Sequence, residues 1–415
     1  MAYSDAETQA EAIDWDASFS DLGQRATASE IRELLKLLDR PGIISFAGGI
    51  PDPALFPMDI IADAHARVFA DPARAAAALQ YSVSEGYAPL REQIAQTWRD
   101  QGVPCSADNI LIVNGSQQAL DLIGRLFLDA GDRLLAARPT YLGALQAFNG
   151  PKPSHGDLAE LTTGATAAKL AYVMPDFANP TGETMGMNER QSVLANADAK
   201  GVVLVEDAAY VSLSYDGEPP PSLLALDAKA KGGVDASRVI HCGTFSKTVV
   251  PGLRVGWVVA AQPVIRKLVL LKQASDLHAS TLAQMVLSDI VTRLGTAHIE
   301  KLRKVYGARR DAFMAALDEH MPAGVSWTKP KGGMFTWVDL PEGLDGAKLL
   351  ERALAEENVA FVPGAAFFAK DPVRNSIRLN FSFNEASIAE EGVARLGRLM
   401  GRAIQGLMAN SLALV

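Results

Sequence analysis

Between residues 110 and 261 the chain repeats one pattern six times: a short apolar run, then a stretch of helical periodicity. The runs are ILIVN (110–114), RLLAA (133–137), LAYVM (170–174), GVVLVED (201–207), RVIHC (238–242) and RVGWVVAA (254–261). Strands of this length alternating with helices build βαβ units, which predict an α/β fold with a mostly parallel sheet covered on both faces. Ligands of such sheets bind beyond the carboxyl ends of the strands. After about residue 290 the texture changes to long charged helices and grouped strands, such as KPKGGMFTWVDL (329–340), VAFVPGAAFF (359–368) and SIRLNFSF (376–383), the mark of a second, α+β unit. A chain of 415 residues is long for one domain and accommodates both. The expected division is an arm at 1–26, a helix and loop at 27–58, a large domain at 59–290 and a small domain at 291–415. Thr27 and Glu30 have the spacing of a capping box ahead of the apolar positions Ile31, Leu34, Leu35 and Leu38.

Chemistry-bearing residues collect where the runs end. Lys247 follows Ser246 after the fifth run and precedes Arg254 by seven residues, among apolar neighbours. Desolvation lowers the pKa of a lysine and frees its amine for Schiff-base chemistry, while a hydroxyl and a guanidinium nearby suit a phosphate; this stretch reads as an anchoring loop for pyridoxal phosphate. Gly115-Ser116-Gln117 sits where the first run turns into a helix, so free backbone N–H groups favour an anion there, although Ser116 would serve equally as a plain N-cap. Asp207 ends a run of Val and Leu, and a carboxylate emerging from a buried strand calls for a cationic partner such as a protonated ring nitrogen. Capping the next helix is the competing role for Asp207. Tyr141 in RPTYLGALQAF is a flat partner for a ring or a core aromatic. Asn179 in PDFANPTGE and Tyr210 in EDAAY are possible donors to a phenolic oxygen, and Pro180-Thr181-Gly182 also reads as an ordinary turn. Arg378 projects from an apolar strand, where its planar fork fits either a substrate carboxylate or a structural ion pair.

Other function classes find little support. A net charge of −9 with both signs mixed along the chain leaves no basic footprint for nucleic acid and no polybasic membrane patch. Two cysteines, Cys105 and Cys242, rule out a disulfide framework. The acidic, polar start MAYSDAETQAEAIDWD has no apolar signal core, and no run of eighteen apolar residues occurs, which points to a cytoplasmic location. The six histidines have no ligand spacing such as HExxH, so no metal is expected.

The segments QYSVSEGYAPL (80–90), NGSQQALDLIGRLFLD (114–129), MPDFANPTG (174–182), VEDAAY (205–210), GTFSKTVVPGLRVGW (243–257), KPKGGMF (329–335) and SIRLN (376–380) together resemble the class I/II aminotransferases of the fold type I pyridoxal phosphate enzymes. The helix with its following loop, ASEIRELLKLLDRPGIISFAGGIPDPALFP, and the stretch KQASDLHASTLAQM are most similar to the 2-aminoadipate and kynurenine aminotransferases. The resemblance implies a large domain on a mostly parallel seven-stranded sheet, a smaller α+β domain, and a homodimer with shared active sites. It implies a ping-pong transfer of the amino group of an L-amino acid to a 2-oxo acid such as 2-oxoglutarate, with broad or 2-aminoadipate-like specificity. Lys247 would form the Schiff base and act as general base. Asp207 would pair with the pyridinium, Tyr141 stack on the ring, and Asn179 and Tyr210 bind the phenolic oxygen. Ser116, Gln117, Ser246 and Arg254 would hold the phosphate, and Tyr81 would reach the phosphate of the neighbouring subunit. Arg378 would take the substrate α-carboxylate with help from backbone at Gly49, and Arg32 would meet the substrate side-chain carboxylate. A lyase or decarboxylase on the same scaffold is the alternative chemistry. A non-enzymatic regulator is a further one, although the acidic segment ahead of the core is too short for a DNA-binding module.

Overall fold

The computed structural model describes residues 13–26, 42–163 and 167–413. The helix expected at 27–40, its capping box and Arg32 lie outside the described residues.

All six apolar runs form strands of one seven-stranded sheet: β1 (Ile110–Val113), β2 (Arg133–Ala136), β4 (Leu170–Val173), β5 (Val203–Asp207), β6 (Val239–Thr244) and β7 (Gly256–Val259). The seventh, β3 (Ser154–Asp157), lies at one edge of the sheet beside β2; its side chains are polar and mostly not buried, so it leaves no apolar run. The order across the sheet is β1-β7-β6-β5-β4-β2-β3, and only β7 runs against its neighbours. Side chains alternate between two apolar layers. Ile112, Ala171, Val173 and Leu204 enter one, and Leu111, Val113, Tyr172, Val205 and Cys242 enter the other. Both faces are therefore dry, as a sheet with helical crossovers requires.

The stretch 58–79 forms two helices, Met58–Ala70 and Pro72–Leu79. Proline cannot continue a helix from within, and Asp71 restarts it by accepting the Ala73 N–H at 2.9 Å. A helix over Thr281–His320 links two cores. Its first part, with Met285, Val286 and Ile290, packs on the large sheet, and its second, with Phe313 and Leu317, packs on a smaller core. Gly295 between them has non-helical angles. The smaller core lies against a four-stranded antiparallel sheet in the order Val362–Pro363, Ser376–Asn380, Phe335–Asp339, Ser326–Trp327, and is closed by the helix Ala386–Ala413. Ile44–Ser45 pairs in parallel with Val359–Ala360, which carries the stretch after residue 45 from the smaller core toward the ends of the large sheet.

Candidate active site

The carboxyl ends of β1, β4, β5 and β6 open on one cavity of about 150 Å³. Because β7 is antiparallel, its start lies at the same edge, which is how Arg254 joins residues that follow the other strands. Ser116, Gln117, Tyr141, Asn179, Asp207, Tyr210, Ser246, Lys247 and Arg254 all line this cavity, together with Met174, Ala209, Thr244 and Pro251, which the sequence reading did not name.

Lys247 donates from Nζ to the Gly49 carbonyl at 2.8 Å. Burial lowers its pKa to about 8, helped by the positive charges of Arg254 and Arg378 and opposed by Asp207. A lysine so placed holds an appreciable fraction of free amine near neutral pH. Asp207 is 2 % exposed, and its Oδ2 accepts from the Tyr172 hydroxyl at 2.8 Å. Burial pushes its carboxyl up to about 6, against the lowering by Tyr172, the Ala209 amide, His241 and Lys247. No helix follows Asp207 for it to cap; the chain turns instead, and Oδ1 is buried with no hydrogen-bond partner among the described residues. A buried acceptor without a donor is costly and fits a cationic N–H brought by a ligand.

The helix Ser116–Phe127 starts one residue earlier than the plain-cap reading requires. Gly115, at φ 78°, is the N-cap, and Ser116 is the first helical residue. Only glycine takes that angle at no steric cost, and the Ser116 hydroxyl is thereby released from capping while remaining beside the first free N–H groups. A Cβ at 115 would also lie 2.5 Å from the Arg254 guanidinium, so the cradle is tight around the arginine. Arg254 itself spans Pro251 O and Asn114 O, at 3.3 and 3.4 Å. Ser246 is buried, and Thr244 orients it, accepting the Ser246 N–H at 3.1 Å and donating to its Oγ at 2.9 Å. Gln117 donates to Gly143 O at 2.6 Å and accepts from the Tyr141 hydroxyl at 3.4 Å. Helix N-terminus, two serine hydroxyls and a guanidinium make a phosphate-sized anion cradle.

Arg378 is 2 % exposed and makes no ion pair among the described residues. Its Nη1 donates to Asn179 Oδ1 at 2.8 Å and its Nη2 to Ala47 O at 2.6 Å, Nε meets no acceptor, and the Phe335 and Phe367 rings flank it at 4.2 and 5.0 Å. The structural ion pair weighed from sequence is therefore absent, and a buried cation satisfied only by neutral oxygens retains its attraction for an incoming carboxylate. Tyr210 packs edge-on against Phe335, and burial raises its pKa first of all, so its phenol stays a donor. Gly49 meets Lys247 through its carbonyl rather than presenting itself to open space. Tyr81 is outside the cavity, 80 % exposed, with its ring edge-on to His278 at 6.2 Å.

These features fit pyridoxal phosphate: an amine, an anion cradle, a buried acceptor awaiting an N–H, and hydroxyl and amide donors between them. A larger, open hollow of about 400 Å³ between Phe177, Glu183, Glu218 and Lys331 shares no lining residue with this cavity. Among the described residues no helix is long and apolar enough to cross a membrane.

The sequence matches the family described as aminotransferase class I and II over residues 52–396. It is 41 % identical to aromatic-amino-acid aminotransferase 1 of Thermococcus litoralis over 94 % of this chain and 95 % of that protein. It is also 41 % identical to the 2-aminoadipate transaminase of Thermus thermophilus, over 96 % of this chain and 99 % of that protein. Among solved structures, the kynurenine aminotransferase of Pyrococcus horikoshii in complex with PMP superposes with a TM-score of 0.87 at 41 % identity, covering 94 % of this chain and 98 % of that one.

Proposed function

This chain belongs to the class I and II aminotransferases, and from that premise we propose how its residues divide the work of a pyridoxal-phosphate-dependent amino transfer from an L-amino acid to a 2-oxo acid. The observation that carries the reading is a half-buried lysine amine facing the same cavity as a buried carboxylate with one unpartnered oxygen. When bound, pyridoxal phosphate supplies an aldehyde that captures amines and a ring that takes up the electrons left as the Cα–H bond breaks.

Ser116, Ser246, Arg254 and the N–H groups at the start of the helix hold the phosphate, with Gln117 bracing the wall that carries Tyr141. Tyr141 would cover one face of the ring. Asp207 would receive the ring N–H, and Asn179 and Tyr210 would serve the phenolic oxygen. Arg378 receives the substrate α-carboxylate and so turns Cα toward Lys247. Lys247, its amine already partly neutral at physiological pH, would take the proton from the substrate Cα as general base. The backbone oxygens of Ala47 and Gly49 support the two cations from the small-core side.

The specificity reading is broad or 2-aminoadipate-like, with 2-oxoglutarate as acceptor, since the relatives named above bear aromatic, aminoadipate and kynurenine activities in their names. Arg32 would be the group that meets an acidic side chain. The chain divides at 1–26, 27–58, 59–290 and 291–415, a seam supported by the interruption of the long helix at Gly295. It works in the cytoplasm as a homodimer, a reading supported by the exposure of Leu79, Tyr81 and Val83 in one stretch, from which Tyr81 would reach a second copy's phosphate.

A donor panel against 2-oxoglutarate, comparing acidic, aliphatic and aromatic amino acids, tests the assignment. New amino acid should form only when the oxo acid is present, with parallel-line ping-pong kinetics. Ammonia or carbon dioxide released without an acceptor would overturn it, and acidic donors failing while aliphatic ones react would remove Arg32 from the specificity role.

A further inference from the structure

Tyr172 lies inside β4, in the middle of a run of apolar residues, and is 1 % exposed. In the register of the sheet it stands beside Val205 of β5. Its ring packs edge-on against Phe148 at 5.8 Å, and its hydroxyl reaches one pleat further along to Asp207 Oδ2 at 2.8 Å. A buried phenol is a good donor in a low-dielectric setting and has one proton to give. With Oδ2 engaged from the core side, the carboxylate cannot rotate freely, and the oxygen left over, Oδ1, is the one without a partner.

We propose that Tyr172 is a positioning residue for the cofactor: its hydroxyl locks Asp207 in the ionised state, with Oδ2 occupied and Oδ1 presented to the ring nitrogen of pyridoxal phosphate. The inference rests on the proposed function and adds a residue that no part of the cavity wall reveals, since Tyr172 does not line the cavity. Five titratable side chains surround Asp207: Tyr172 from β4, Tyr210 after β5, His241 and Cys242 from β6, and Lys247 after β6. Burial raises the pKa of the Tyr172 phenol well above its ordinary value, so across the working range it donates and never competes as an anion. Among the groups that favour the charged form of Asp207, the Tyr172 bond is the strongest, followed by the Ala209 amide, His241 and Lys247.

The sign of the pH dependence follows. Below the carboxyl's pKa of about 6, Asp207 must lose its proton to pair with the ring N–H, and the full strength of the Tyr172 bond then appears in cofactor affinity. Above it, Asp207 is already ionised in the empty enzyme, the bond is present on both sides of the binding equilibrium, and it cancels.

The test is the Kd of apoenzyme for pyridoxal phosphate, by equilibrium dialysis from pH 5.5 to 9, in wild type, Tyr172→Phe, Asp207→Asn and the double variant. Tyr172→Phe keeps the ring seated on Phe148. Affinity should fall about tenfold or more at pH 5.5 and by less than about twofold at pH 9, a hydrogen bond to a charged group having that worth. With Asp207→Asn in place, Tyr172→Phe should change nothing further. A loss uniform across pH, no loss at all, or an undiminished loss in the Asp207→Asn background would overturn the proposal. Should Tyr172→Phe fail to fold, recovery of folding in the double variant would trace the defect to the unsupported carboxylate, and failure to recover would refute it. Wild-type apoenzyme that does not bind the cofactor would sink the function reading itself, a different outcome from any of these.

Discussion

Replacing Arg378 with methionine separates recognition from stability. Methionine has a similar unbranched reach and places an apolar chain between Phe335 and Phe367, the rings 4.2 and 5.0 Å from the guanidinium. Burial holds the arginine pKa down to about 10, and with an ordinary value of 12.5 this means that the folded protein pays about 3 kcal/mol to keep the cation buried at neutral pH. A lowered cation pKa makes the cost fully present below pH 10, and it lifts only as pH rises from there toward 12.5. Against that relief, the variant strands Asn179 Oδ1 and Ala47 O, at about 1–3 kcal/mol each. The two effects are of similar size, so Tm should move by no more than about 5 °C. Catalysis should not escape so lightly. Losing one partner of a buried, hydrogen-bonded carboxylate pair costs about 2–5 kcal/mol, or roughly 30- to 5000-fold in kcat/KM. The assay compares an amino acid with the amine that lacks its carboxylate, in single-turnover reactions with the pyridoxal form of each enzyme. Wild type should prefer the amino acid strongly, and Arg378→Met should lose most of that preference while its rate with the amine stays within about threefold. A variant that keeps the preference for carboxylate would refute the role of Arg378. In wild type the preference should also be flat from pH 7 to 9, because the arginine stays charged throughout.

Other expectations concern the amine, the cradle and the assembly. Lys247→Ala should fold but lose the absorbance of the lysine-linked cofactor, borohydride trapping and essentially all turnover; near-normal turnover would remove the central assignment. The rate at which apoenzyme captures pyridoxal phosphate should rise with pH through a midpoint near 8, following the lowered pKa of Lys247, and a midpoint near 10 in a stopped-flow titration would contradict the burial argument. Ser116→Ala should weaken cofactor binding about tenfold, the worth of a hydrogen bond to a charged group, with Tm of the apoenzyme unchanged within about 1 °C because Gly115, not Ser116, caps the helix. Tyr81→Phe should weaken cofactor binding in a particle that sediments as a dimer, and a fully active monomer would contradict the shared site.

The sheet was legible because six of its strands are buried on both faces and so are written as unbroken apolar runs. Ser154–Asp157 escaped because its side chains are mostly not buried, unlike those of the opposite edge strand Ile110–Val113. The residues of the cavity were legible for a related reason: polar side chains at the ends of apolar strands stand out. Tyr172 did not, since a tyrosine within LAYVM reads as core, and only the register of β4 on β5 brings its hydroxyl to Asp207. Lys272 was hidden differently. It belongs to a regular helix, yet its buried ammonium binds Asp276 at 2.8 Å and Gln118 at 3.0 Å, while Asp276 also accepts from Asn114, bracing the loop ahead of the phosphate cradle. Contacts between residues 150 apart leave no trace in local periodicity. The competing roles for Ser116, Asp207 and Arg378 were separable only by geometry, since a cap, an ion pair and a ligand anchor call for the same residue types.

The stretch that leaves Ile44–Ser45 offers its backbone, not its side chains, to two cations of the site: Ala47 O to Arg378 and Gly49 O to Lys247. It is moored beyond them by Asp52, whose carboxylate meets Arg309 at 2.8 Å and whose N–H meets the Tyr306 hydroxyl at 3.1 Å. Carbonyl oxygens are common to every amino acid, so most substitutions along this stretch leave the reacting amine and the carboxylate anchor in place. Gly49 is the exception, because a Cβ there would lie 2.5 Å from the Phe335 ring. The stretch thus grips the amine and the carboxylate anchor through atoms that a change of side chain does not remove.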